Sequence, residues 1–130
     1  MKRLALLTCL ALTAAAPAAA STHTGTIEAI QLTGGSEFIS ASATFKEVGG
    51  GSSKVAVWIE VYDGPSGGRK ATLGRRTATT SCDPGRTCWT TLKSADVPVL
   101  PGECYVGWGS IDDGGGAESE RTPTSGRYCP

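Results

Sequence analysis

The sequence contains no asparagine, one histidine, and no methionine after Met1. Each absence closes something. Without asparagine there is no acceptor for N-linked glycosylation. The sole imidazole, His23, falls near the start of the folded chain on a segment expected to fray. Ser-His-Asp and Cys-His chemistry both need a histidine held rigidly against its nucleophile, so neither is expected. Helical periodicity is missing as well, because after the first twenty residues no apolar set recurs at helical spacing and Gly, Ser and Thr break the chain repeatedly. No later apolar run approaches the roughly 20 residues that span a bilayer. An excess of one charge is also lacking, with 12 basic residues against 12 acidic. Removing Lys2 and Arg3 leaves a slight acidic surplus, which argues against general affinity for nucleic acid or an anionic membrane.

What is present begins with a leader. Met1-Lys2-Arg3 is a short basic start, Leu4 to Leu12 is an apolar run, and Ala18-Ala19-Ala20 supplies small residues for signal peptidase. Cleavage is expected after Ala20, with Ala16 as the alternative. Cys9 sits inside the apolar run, too early for the first residue of a mature lipoprotein. Residues 1–20 are therefore expected to be a signal peptide and residues 21–130 one secreted, extracellular domain. The missing Asn and Met, with abundant Ala and Gly, fit a GC-rich bacterial genome.

Period-two patterning dominates the rest. In FISASATF, Ile39, Ala41, Ala43 and Phe45 share one face, and in KVAVWIEVY so do Val55, Val57, Ile59 and Val61. ECYVGWGSI places Cys104, Val106 and Trp108 on one side and Tyr105, Gly107, Gly109 and Ile111 on the other. A weaker strand is expected from Thr24 to Leu32, where the alternation breaks and either a bulge or a strand switch would account for it. About seven strands separated by Gly- and Pro-rich turns predict a single antiparallel β-sandwich.

Four cysteines remain after the leader, an even number in an exported chain, and read as two disulfides. Residues 81–90, SCDPGRTCWT, suggest a hairpin closed by Cys82–Cys88, with Thr80 opposite Thr90, Ala78 opposite Leu92, and Pro84-Gly85 turning the chain. Of the three possible connectivities this one leaves Cys104–Cys129, which closes a second hairpin and ties down the C-terminus. The segment VPVLPGECYVGW resembles the loop and inner strand of immunoglobulin-like domains. That resemblance implies an immunoglobulin-like sandwich at the level of fold, although the cysteine and tyrosine positions depart from the antibody pattern.

Oxidised cysteines take part in neither thiolate chemistry nor zinc ligation. Glu60 is the one acid in a strongly apolar strand, with no partner evident for glycoside cleavage. Asp112, Asp113, Glu118 and Glu120 do not have calcium-loop spacing and read as a flexible acidic hairpin tip. The expectation is thus no enzyme, no metal and no cofactor. Two surfaces remain. Trp58 and Tyr62 share the strand face opposite the valines, and with Trp89 and Tyr105 they would form an aromatic platform for a sugar or a partner protein. In a purely structural role, Trp58 would instead cover Gly107 or Gly109 on a neighbouring strand. The second surface is the Cys82–Cys88 loop, where Arg86 would anchor a serine protease and present the Arg86–Thr87 bond. Arg69, Lys70, Arg75, Arg76 and Arg86 crowd into one stretch whose only acid is Asp83. The sequence therefore suggests a monomeric, non-catalytic binding or envelope-associated accessory module for an extracellular protein or carbohydrate. A protease inhibitor is the alternative.

Overall fold

The computed structural model describes residues 23–114 and 124–130. Eight strands run β1 (Thr24–Gly34), β2 (Phe38–Val48), β3 (Gly51–Tyr62), β4 (Arg69–Cys82), β5 (Thr87–Lys93), β6 (Val97–Pro98), β7 (Cys104–Asp112) and β8 (Arg127–Tyr128). They form two antiparallel sheets, one in the order β1-β2-β5 with β6 also on β2, the other β4-β3-β7-β8. The expected signal peptide, residues 1–20, lies outside the described residues.

The sheets pack through the faces that alternation marks out. Ile39, Ala41, Ala43 and Phe45 of the first sheet meet Val55, Val57, Ile59, Val61, Tyr105 and Ile111 of the second in one buried cluster. Ile27 and Ile30 of β1 both join it. Residues three apart share a sheet face only if an extra residue intervenes, and the register does slip between Ile27 and Ala29. Gly107 and Gly109 face inward too. A Cβ on Gly107 would lie 3.0 Å from Ile30 Cγ2 and 3.2 Å from Ala41 Cβ. The missing side chains let the sheets approach where Ala41 and Ala43 supply little bulk.

Both disulfides form as expected, with Cα–Cα distances of 5.8 Å for Cys82–Cys88 and 4.3 Å for Cys104–Cys129. Their settings differ. Cys104–Cys129 continues the β7–β8 pairing of Tyr105 with Tyr128 and Val106 with Arg127. Cys82–Cys88 does not close a hairpin, which corrects the sequence reading. Thr80 pairs with Ser53 and Ala78 with Val55 in the second sheet, whereas Thr90 pairs with Phe45 and Leu92 with Ala43 in the first. The Thr-rich strands suit many partners, so good cross-strand chemistry did not identify the neighbour. The valine face of β3 claims β4 through the short turn before it. The Asp83–Arg86 turn, with Arg86 N donating to Asp83 O at 3.1 Å and Gly85 at φ 75°, then carries the chain across to the other sheet.

The expectation that His23 frays is also overturned. Its side chain is 9% exposed, with Nδ1 3.3 Å from the Asp113 carbonyl oxygen and Nε2 4.0 Å from Glu47. Glu47 follows the inward alternation of β2 and is itself buried, accepting the Thr80 hydroxyl.

Candidate functional site

The outward residues of β4, β3 and β7 fall into rows across the sheet. Thr79, Lys54 and Asp112 form one row by register, and Thr77, Ala56 and Ser110 the next. Beyond these, Trp58 opposes Trp108. On the other side of Trp58 the register of β4 slips between Arg76 and Leu73, and Arg75 lays its guanidinium over the indole 5.0 Å from the ring centre. Small side chains in the middle row and tall ones on either side leave a trench of about 570 Å³ running across the strands. Two residues along a strand advance about 6.8 Å, so the walls stand roughly 13 Å apart at the backbone. One wall is the Arg75 guanidinium, with the Trp58 indole buried beneath it. The other carries Lys54, Thr79 and Asp112, and the hydroxyls of Thr77 and Ser110 line the space between.

Next to the trench is a self-satisfied polar array. The Tyr62 hydroxyl donates to Glu60 Oε2 at 2.8 Å and Arg69 Nη1 to Glu60 Oε1 at 3.1 Å. Arg127 stacks 4.1 Å above the Tyr62 ring while Nη1 reaches the carbonyl oxygens of Gly64 and Pro65 at 3.1 and 2.6 Å. The hydrogen bond to Glu60, followed by burial, raises the Tyr62 phenol above its ordinary pKa. Glu60, without an evident partner in the sequence, has two here. Its neighbours are those of a structural carboxylate that fastens β3 to the start of β4.

The four aromatics of the expected platform do not converge. Trp58 and Tyr62 share the outer face of the second sheet, but Trp58 is 5% exposed beneath Arg75. Trp58 covers neither Gly107 nor Gly109, which face the opposite side against Ile30 and Ala41; its cross-strand partner is Trp108. Trp108 Nε1 is buried without a hydrogen-bond partner. Trp89 stands on the outer face of the first sheet, 58% exposed, with Lys46 Nζ 5.5 Å from its ring centre. Tyr105 is fully buried between the sheets. Leu100 N donates to its hydroxyl at 2.7 Å, which pins the connection before β7. Burial raises this phenol's pKa above its ordinary value, and Tyr105 belongs to the buried cluster between the sheets.

Arg86 and Thr87 are exposed, but the Arg86 carbonyl accepts Gly49 N at 2.7 Å. Of the acidic tip, Asp112 Oδ1 accepts Gly114 N at 3.0 Å and Asp113 Oδ2 accepts Gly25 N at 3.4 Å, so these two acids close a turn and fasten β1. Glu118 and Glu120 lie outside the described residues. Among the described residues no group of three His, Cys, Asp or Glu side chains is arranged to hold a metal ion.

The trench itself escaped the sequence reading. Its signal was present in KVAVW, where Lys54, Ala56 and Trp58 share one parity and the small residue stands between two large ones. What the sequence did not show was which strands flank β3, and so that Thr77 and Ser110 extend the low row on both sides. No family model matches this sequence, and no curated protein is similar to it.

Proposed function

We propose that the chain is an exported, non-catalytic binding module that holds a carbohydrate in the trench across β4, β3 and β7. The trench carries this reading: a concave strip lined by the hydroxyls of Thr77, Thr79 and Ser110 and by charged groups matches the polar edges of a sugar ring. Export is supported by the leader-like first twenty residues and by two disulfides, which persist in oxidising compartments. Among the described residues no helix is long and apolar enough to cross a membrane, which is compatible with that location. An immunoglobulin-like assignment is supported by the sheet order and by Tyr105, whose hydroxyl binds backbone five residues upstream in the manner of a tyrosine corner. The absence of catalysis is argued from Glu60 and His23, the strongest catalytic candidates by residue type. Glu60 is held by Tyr62 and Arg69, and His23 is buried against Glu47 and Asp113.

The test is calorimetric titration of the oxidised protein with a panel of soluble oligosaccharides, beside Ser110→Trp, which fills the trench from β7 without touching the core. Binding by the wild type that Ser110→Trp abolishes, at unchanged melting temperature, is the expected result. Equal binding by both proteins, or none by either, would refute the reading. Protease inhibition through Arg86 has less support. An inhibitor's scissile carbonyl must be offered to the enzyme, and that of Arg86 is already turned inward to Gly49.

A further inference from the structure

We infer that the trench selects an acidic oligosaccharide, one whose uronate carboxylates are taken by Lys54 and Arg75. This rests on the trench being the ligand site. Three charged side chains line it: Lys54, Arg75 and Asp112. The acid is partly engaged, because Asp112 Oδ1 accepts Gly114 N. Among the described residues neither base forms an ion pair, although the register sets Asp112 opposite Lys54. Among the described residues the ion pairs join His23 to Glu47, Arg69 to Glu60 and Lys70 to Glu103, and neither Lys54 nor Arg75 has a carboxylate within that range.

Arg75 is also pre-set for a planar anion. Its guanidinium lies over Trp58 at 5.0 Å, and a stacked guanidinium keeps its in-plane N–H groups free to grip a carboxylate with two bonds. Stacking limits the rotamers lost on binding. Lys54 faces it from the other wall, so a chain of sugar rings laid along the trench meets a cation on each side and hydroxyls from Thr77 and Ser110 beneath. Without Lys2 and Arg3 the chain carries 10 basic residues against 12 acidic, so its net charge supplies no general attraction for an anion. An extended acidic peptide fits less well. Peptides add to sheets along a free strand edge, whereas this trench crosses three strands over their side chains.

The experiment titrates the oxidised protein with polygalacturonate, alginate and hyaluronan, each beside its carboxyl-reduced counterpart, at low and moderate salt. At least one acidic form should bind, its reduced form about tenfold more weakly, with affinity falling as salt rises. Lys54→Gln and Arg75→Gln should each lose about fivefold for the acidic form and little for the reduced one. Arg75→Lys, which keeps the charge and loses the planar fork, should fall between wild type and Arg75→Gln. Equal binding of acidic and reduced forms would overturn acid selectivity and leave the trench as a neutral-glycan site. No binding to any polymer in either form, or binding that Ser110→Trp does not disturb, would overturn both readings. Displacement of a bound uronate by poly-glutamate at equal affinity would overturn the choice of sugar over peptide.

Discussion

Gly49 is where one hydrogen atom's worth of space holds the corner between the sheets. It is buried at the β2–β3 turn, and its N–H donates to Arg86 O at 2.7 Å while Gly50 N donates to Cys82 O at 2.9 Å. A Cβ on residue 49 would overlap the Asp83 carbonyl oxygen and lie 2.9 Å from that of Arg86. Both obstacles are backbone, within a loop closed by Cys82–Cys88, so no side chain can swing aside. Relief requires the turn to withdraw, which breaks both hydrogen bonds at about 1 kcal/mol each. Residual overpacking adds roughly 1–3 kcal/mol. Gly49→Ala should therefore cost about 3–5 kcal/mol, lowering the melting temperature by on the order of 10–20 °C for a domain of about 100 residues. Gly35→Ala is the control, because nothing lies within 4 Å of the added carbon and its φ is not positive. It should be neutral or stabilising by up to about 1 kcal/mol. The assay is denaturant and thermal unfolding with both disulfides intact. A Gly49→Ala protein within about 0.5 kcal/mol of wild type would refute the account of the corner.

Two further outcomes follow from buried polar groups. Tyr62 and Tyr105 both have raised phenol pKa values, the first chiefly through its bond to Glu60 and the second through burial. Folding thus favours the neutral phenols. Their contribution is complete below the ordinary value of 10 and is lost as pH rises through the folded-state values. Rapid unfolding measurements above pH 10 should show stability declining, and Tyr105→Phe should flatten the decline; an unchanged slope would sink the assignment. Glu47→Ala should destabilise by about 2–3 kcal/mol, since it removes the acceptor of the Thr80 hydroxyl and leaves a cavity beside His23. Glu47→Gln should recover much of that, and equal stability of Glu47→Ala and wild type in urea would contradict a structural role.

The strand faces and both cystines were legible because alternation and cysteine parity are local properties. FISASATF and KVAVWIEVY declared their buried sides residue by residue, and the broken alternation between Thr24 and Leu32 marked the irregular strand in which β1 bulges. Strand neighbours were not legible. The segments around Cys82 and Cys88 looked like each other's partners, yet the short Asp83–Arg86 turn sends them to different sheets. Facing was harder to read as well: aromatics from both sheets and from the core were gathered into one platform, and the covering role offered for Trp58 paired it with glycines that point the other way. His23 and Glu47 were missed because each looks solvated until the other, from a distant segment, is brought beside it.

The last strand is only two residues long, yet it is fastened three ways. Cys129 bonds Cys104, Arg127 grips the carbonyls of the β3–β4 turn, and the Ser125 hydroxyl accepts Gly107 N at 2.7 Å. So short a strand has little pairing energy of its own. Cutting the cystine with a reductant would free the tail and bare the backbone of β7 from Tyr105 to Gly107, a ready template for another chain. Solubility is thereby tied to redox state: the oxidised protein keeps a sealed edge, and the reduced one invites chain-to-chain pairing while its core is still formed.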